Sequence, residues 1–209
     1  PNRQAQFISF LNYKNISYNV YIEDFTEIEK GFETEIIERK ALKEAKSAIS
    51  PTLDWTVYWT NEEIQEYSVR LATVYPFLVR YSVIARTFEG REVFALRISN
   101  GDFGRKPIVF IDGGMHAREW VSQATVMFLL HRLVEDSVSS KELLENVDWL
   151  IIPNLNPDGY QFARTTNRLW RKNRNRINET CIGVDLNRNW AYTWRAPNAG
   201  TVKKFLKKD

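Results

Sequence analysis

The 209-residue chain contains one cysteine and two histidines. A single thiol excludes a disulfide framework within the chain. The longest apolar run is far short of the roughly 20 residues that span a bilayer, so no transmembrane helix and no membrane partner are expected. Charge of one sign is also scarce, because 29 basic residues stand against 26 acidic ones. The resulting net charge of +3 implies neither DNA nor membrane binding by itself. Pro1-Asn-Arg-Gln-Ala opens no signal peptide and no initiator methionine, so the sequence is expected to begin inside a longer product. No internal repeat is visible.

What is present suffices for a sizeable core. Hydrophobic residues make up 44%, enough for one domain or one domain plus an appendage. Asn15-Ile-Ser17 and Asn178-Glu-Thr180 fit the N-glycosylation pattern and move the expectation modestly toward secretion. In a secreted chain the odd Cys181 points to a lost partner.

Residues 1–46 differ from the rest. The pattern predicts a short helix from Gln4 to Leu11 and a strand over Ser17–Ile22, from β-branched and aromatic content. A charged helix from Glu33 to Ile49 follows, with Ile37, Ala41, Ala45 and Ala48/Ile49 on its apolar face and Glu35 one turn before Arg39. Arg39, Lys40, Lys43 and Lys46 are either trypsin-like cleavage points or a solvated face. Ser50-Pro51 ends that helix.

From there the chain reads as α/β. Thr60-Asn-Glu-Glu63 is a capping box, and Ile64, Tyr67, Leu71 and Val74 continue a helical stripe. Tyr81–Thr87 and Arg91–Ile98 predict a hairpin around Glu89-Gly90. Residues 107–111 and 147–152 are nearly continuous apolar runs, expected as strands buried on both faces. The helix between them, Trp120 to Glu135, is apolar almost all round. Strand, helix, strand implies a crossover in a mostly parallel or mixed sheet.

Three constellations carry chemistry. The first is His116-Ala-Arg-Glu119, at a strand-to-helix junction after Gly113-Gly114. A histidine and a carboxylate three residues apart there can face one metal ion, and ligands of open α/β sheets gather at carboxyl ends of strands. The bland reading is a turn histidine and a carboxylate favoured by a helix N-terminus. Catalytic zinc normally takes three protein ligands. His131 is not the third: twelve helical residues at ~1.5 Å rise separate it from Glu119 by roughly 18 Å. The second is the basic run of Arg164, Arg168, Arg171, Lys172, Arg174 and Arg176, with no acid between Asp158 and Glu179. It suits nucleic-acid phosphate with Tyr160, Phe162 or Trp170 stacking on bases, or bidentate carboxylate binding, or simply a solvated loop. The third is Gly183-Val-Asp-Leu-Asn-Arg-Asn-Trp190, with Asp185, Asn187 and Arg188 close together at an expected strand end.

Four runs, Gly114-Met-His-Ala-Arg-Glu-Trp120, Pro153-Asn-Leu-Asn-Pro-Asp-Gly159, Trp170-Arg-Lys-Asn-Arg174 and Gly183–Trp190, stand together in one order and spacing. In this combination the sequence resembles the zinc metallocarboxypeptidases of the pancreatic A/B type, and insect digestive members in particular, over roughly residues 50–194. The resemblance implies an α/β fold, a mixed, mostly parallel sheet with flanking helices, preceded by part of an α+β activation segment. It implies residues 1–46 as that partial segment, 47–195 as the N-terminal half of the catalytic domain and 196–209 as an unmatched basic tail. It implies His116 and Glu119 as metal ligands for zinc and Asp185 as the residue orienting His116 through its other ring nitrogen. Arg174 would be catalytic, stabilising the oxyanion; Asn187 and Arg188 would bind the substrate's C-terminal carboxylate and Arg118 the peptide further back. The expected partners are peptide or protein C-termini and an activating trypsin-like protease, with no nucleic acid, in a secreted zymogen.

Past about Trp194 the resemblance stops. The family's third ligand, its downstream tyrosine, its general-base glutamate, its specificity pocket and the cysteine partner of Cys181 have no counterpart. The expectation is therefore a C-terminally truncated enzyme, its zinc site incomplete and the 209-residue chain not catalytically competent by itself. An open sheet edge and exposed apolar faces should follow. The alternatives are a non-catalytic module binding peptide C-termini, or a truncated gene model with no stable product.

Overall fold

Thr60 starts the first helix of the larger unit by the reciprocal capping its sequence predicts. Its hydroxyl accepts the Glu63 N–H at 3.1 Å, and the Glu63 carboxylate accepts the Thr60 N–H at 2.7 Å. The computed structural model describes residues 2–31, 34, 38, 55–101 and 103–190. They fall into two compact units, residues 1–52 and 53–209.

In the smaller unit, helix α1 spans Asn2–Tyr13, and residues 25–31 are helical. The strand expected over Ser17–Ile22 does not form: among the described residues they pair with no ladder, and Tyr18, Val20, Tyr21 and Ile22 are exposed. β-Propensity reports fitness for a half-buried pleated surface and creates no strand without a neighbour to pair with. The expected helix of 33–49, with its Ile37, Ala41 and Ala45 face and its four cleavage candidates, lies outside the described residues but for Thr34 and Glu38. So do Ser50-Pro51 and the tail 196–209.

The larger unit runs α2 (Asn61–Val74), β1 (Val79–Arg86), β2 (Glu92–Ile98), β3 (Ile108–Asp112), α3 (Trp120–Val134), α4 (Ser137–Asn146), β4 (Asp148–Ile152), α5 (Pro157–Thr165) and a 3₁₀ turn, Leu186–Arg188. The sheet order is β1-β2-β4-β3. β1 and β2 form the predicted antiparallel hairpin, with an irregularity at Ile84 between Val83 and Ala85. β4 is antiparallel to β2 and parallel to β3, so the sheet is mixed. A parallel neighbour requires a crossover, and α3 and α4 supply it. The second of these helices was not expected from the sequence.

The core lies between this sheet and the helices. Leu96, Ile98 and Ile151 of the sheet are fully buried, as are Met127, Leu130 and Leu133 of α3 and Ile64 and Leu71 of α2. Burying each such side chain stabilises the fold by about 1.5–3 kcal/mol. Two expectations about burial fail. Val74 ends α2 exposed, and Ser68 takes a buried place instead, its hydroxyl donating to Ile64 O at 2.7 Å. β4 is buried on both faces, but β3 is not: Ile108 and Phe110 are half exposed. Among the described residues β3 is an edge strand. An apolar run states what a strand can bury; its neighbours decide what it does bury.

Candidate metal and peptide-binding site

The site is built at the carboxyl end of β3, where the chain turns before α3. Two hydrogen bonds extend the β3–β4 register beyond the strands: Gly113 N to Ile152 O at 2.9 Å and Leu155 N to Gly113 O at 2.8 Å. Gly114 then adopts φ +69°, a backbone state that costs other residues energy. A Cβ there would lie 2.6 Å from the Gln123 side-chain amide. The turn is therefore pressed against α3, and its Gly114 N–H donates to Ser122 Oγ at 3.0 Å.

This turn delivers His116 and Glu119 to one point. Glu119 caps α3 by position only, with no side-chain cap hydrogen bond, so its carboxylate is free to face His116. His116 Nδ1 lies 3.1 Å from Glu119 Oε2. The other ring nitrogen, Nε2, lies 3.2 Å from Asp185 Oδ1 across 69 residues. The imidazole is thus held between two carboxylates, each of which calls for a proton or a cation on the nitrogen it faces.

Asp185 arrives through a looped-back segment. Asn173 N donates to Val184 O at 3.1 Å, Gly183 N to Asn175 O at 2.8 Å, and Val184 N to Asn173 Oδ1 at 2.7 Å. The strand end expected near Gly183 is only a single bridge, Arg176 with Ile182, because Gly183 turns at φ +82°. Asp185 then caps the 3₁₀ turn, accepting the Asn187 N–H at 3.0 Å. Burial pushes the Asp185 carboxyl up. The Arg171 hydrogen bond, the Asn187 N–H and the charges of Arg171 and His116 outweigh it and hold the group below the ordinary carboxylate range.

Arg171, which sequence reasoning left without a role, completes this cluster. Its Nε donates to Asp185 Oδ2 at 2.9 Å and its Nη1 to Glu119 Oε1 at 3.1 Å. Asn156 is a second missed residue. Its Oδ1 caps α5 through Gly159 N at 3.0 Å, while its Nδ2 donates to Met115 O at 3.1 Å and Lys172 O at 3.2 Å. It ties the His116 turn to the Arg171 segment. Both residues stand inside runs that carried the family resemblance, which is the signal that pointed to them.

The remaining predicted residues are engaged elsewhere. Arg174 Nε donates to Glu89 Oε1 at 3.3 Å, and its guanidinium stacks 3.8 Å from the Phe162 ring centroid and 4.9 Å from that of Trp170. Arg118 is exposed, with Nη1 3.5 Å from Leu169 O. Asn187 and Arg188 are exposed beside Asp185, and Arg188 Nη1 donates to Asn187 O at 3.0 Å. His131 faces Glu135 at 3.0 Å and packs on Trp55, as an ordinary helix residue. Cys181 is a free thiol.

Much of the basic run is therefore structural. Arg168 lies 3.9 Å over Trp120, Arg164 5.1 Å over the same ring, and Lys172 donates to Ile182 O. The solvated-loop reading does not hold for these residues. An apolar groove of about 360 Å³ lined by Trp55, Tyr58, Trp120 and Phe128 contains none of the predicted polar site residues, so it is not the seat of the chemistry.

The donor set fits one edge of a zinc site. Two ligands about 2.1 Å from one ion at a tetrahedral angle stand about 3.4 Å apart, close to the 3.1 Å between His116 Nδ1 and Glu119 Oε2. A carboxylate on the other ring nitrogen is the usual support for such a histidine. Among the described residues no group of three or more His, Cys, Asp or Glu side chains is arranged to hold a metal ion. No helix among them is long and apolar enough to cross a membrane.

Comparison with known proteins identifies the family. Residues 64–205 match the family model described as zinc carboxypeptidase. Carboxypeptidase B of Helicoverpa zea is 35% identical over 202 residues, covering 94% of this chain and 47% of that protein. Carboxypeptidase B of Astacus astacus is 40% identical over 144 residues, covering 68% of this chain and 47% of that protein. The crystal structure of carboxypeptidase A from Helicoverpa armigera superposes with a TM-score of 0.79 at 32% identity, over 93% of this chain and 48% of that one. The chain spans about half the length of the curated relatives it matches. With its mixed sheet, its flanking helices and the match over 64–205, the chain belongs to the zinc carboxypeptidase family.

Proposed function

We propose that this chain carries part of a zinc-dependent carboxypeptidase site, acting on peptide or protein C-termini. The observation that carries the reading is the His116–Glu119 edge, with Asp185 on the far ring nitrogen. His116 and Glu119 would hold the metal, which when bound supplies Lewis-acid activation of water and of the scissile carbonyl. Asp185 keeps the His116 ring oriented and its Nε2 proton in place. Asn187 and Arg188, exposed and adjacent, bind the terminal carboxylate, and Arg118 contacts the peptide further back. Arg174, charged and backed by two aromatic rings, stabilises the developing oxyanion. In this reading the protein is secreted as a zymogen, and a trypsin-like protease removes the segment 1–46.

Two donors bind zinc more weakly than three, and among the described residues no group of three or more His, Cys, Asp or Glu side chains is arranged to hold a metal ion. The 209-residue chain by itself is expected to bind zinc and peptide without hydrolysing peptide. Calorimetry on the full chain tests this, with zinc and then with a peptide and its C-terminal amide. Zinc binding abolished by His116→Ala, and a preference for the free carboxylate lost in Arg188→Ala, support the reading. Equal affinity for acid and amide removes the peptide-binding part. Hydrolysis of a blocked dipeptide with chelator sensitivity removes the expectation of inactivity.

A further inference from the structure

Asn15-Ile-Ser17 and Asn178-Glu-Thr180 share one acceptor pattern for N-linked sugar, but the fold treats them differently. Asn178 is exposed at the turn of the looped-back segment 173–184. Arg176 bridges Ile182, and Ile177 N and Asn178 N both donate to Cys181 O, at 3.0 and 3.3 Å. Asn178 Oδ1 accepts three donors: the Thr180 N–H at 3.0 Å, the Thr180 hydroxyl at 3.1 Å and the Cys181 N–H at 2.7 Å. Its Nδ2 has no hydrogen-bond partner among the described residues.

Asn15 is exposed too, but the backbone uses it. It follows α1 at φ +51°, where Ile16 N donates to Leu11 O at 3.0 Å and Asn15 N to Asn12 O at 3.1 Å. These are the two bonds of a left-handed helix stop, a place that asparagine fills when glycine does not. Among the described residues no hydrogen bond joins the Asn15 side chain to Ser17.

We propose that Asn178, and not Asn15, is a glycosylation site, taking an oligosaccharide from a lipid-linked pyrophosphate donor. The proposal rests on the reading that the protein is secreted. An amide nitrogen is a weak nucleophile because its lone pair is shared with the carbonyl. Three donors on Oδ1 draw charge toward that oxygen and make the Nδ2 protons easier to lose. Nδ2 forms a bond to the anomeric carbon of the sugar as the bond from that carbon to the pyrophosphate oxygen breaks. The bonding pair leaves with the lipid pyrophosphate, and one Nδ2 proton goes to solvent. The product is still an amide with Oδ1 in place, so the bonds that hold the turn survive the modification. All three donors come from the next three residues, so the arrangement forms locally and is available while the chain is being exported.

The full chain is exported from insect cells behind a supplied, cleavable signal peptide, as wild type, Asn178→Asp and Thr180→Ala. Sugar is removed by an amidase in H₂¹⁸O, which turns the acceptor asparagine into labelled aspartate, and peptide mass mapping locates the label. Asn178→Asp keeps the oxygen that holds the turn and lacks only the nitrogen. A variant retained in the cell is read the same way from the lysate, because sugar transfer precedes export. Label at Asn178 and none at Asn15 in wild type, with sugar lost from both variants, is the expected result. Label at Asn15, sugar persisting in Asn178→Asp, or a bare Asn178 in the exported wild type overturns the choice of acceptor and leaves the secreted reading standing. Sugar on Asn178 of the exported chain but none on the native protein isolated from its source overturns the secreted reading, and this proposal with it.

Discussion

The Asp158 carboxylate at the start of α5 accepts the backbone N–H of Glu89, in the β1–β2 turn, at 2.9 Å. Its other oxygen accepts Thr87 Oγ1 at 2.7 Å and Arg91 Nη1 at 2.9 Å. Asp158 is buried, so the turn that carries Glu89, and through Glu89 the Arg174 guanidinium, is moored to the interior. Removing a buried acceptor strands its donors. Asp158→Ala should therefore lower unfolding stability by about 2–4 kcal/mol, read from urea denaturation. A loss below about 0.5 kcal/mol, the size of an ordinary surface change, would show the mooring to be energetically idle.

Gly114 is the second point where one atom matters. An added methyl meets the Gln123 amide at 2.6 Å in a backbone state of φ +69°. Strain of about 1–3 kcal/mol attaches to such a residue before any clash is counted. Gly114→Ala should reduce thermal stability and weaken zinc binding together, because the turn that aims His116 must shift. Unchanged zinc affinity in a destabilised variant would mean that the turn relaxes without moving His116.

Stability should also carry a pH signature from Glu135. Burial pushes this carboxyl up, but hydrogen bonds from Tyr67 at 2.7 Å, His131 at 3.0 Å and Arg70 at 2.9 Å prevail and leave it below its ordinary 4.5. A depressed folded value means the stabilisation is fully present above 4.5 and is lost as pH falls through the folded value. Tyr67 is shifted well upward, by burial first and by Glu135 second, and so stays a donor throughout. Glu135→Gln should cost about 1–3 kcal/mol at pH 7, with the gap to wild type closing on acidification. Parallel stability curves from pH 7 to 3 would contradict that linkage.

The β3 edge predicts self-association. Ile108 and Phe110 are half exposed on a strand that has no second neighbour among the described residues. Unpaired apolar edges template pairing with another chain, and an edge lysine blocks it. Phe110→Lys should raise the concentration at which the chain stays monomeric in sedimentation experiments, at a cost of about 1 kcal/mol in folding. Equal association in both proteins would place the contact elsewhere.

The sequence alone determined the local elements and the closeness of the candidate pair His116 and Glu119. The Thr60–Glu63 capping box, the hairpin around Gly90 and the two strands flanking α3 are written in neighbouring residues, where propensity and side-chain reach decide. His116 and Glu119 were legible for the same reason, being three residues apart on one turn. Tertiary structure alone decided which distant groups meet them. Arg171 on Glu119, Asn156 on Met115 and Glu89 on Arg174 span 52, 41 and 85 residues, and no periodicity encodes such encounters. It also decided burial: β3 and β4 are equally apolar, yet among the described residues only β4 of the two has a strand on both sides. Ser17–Ile22 has the composition of a strand, but pairing takes a second strand, and in the described residues none comes alongside.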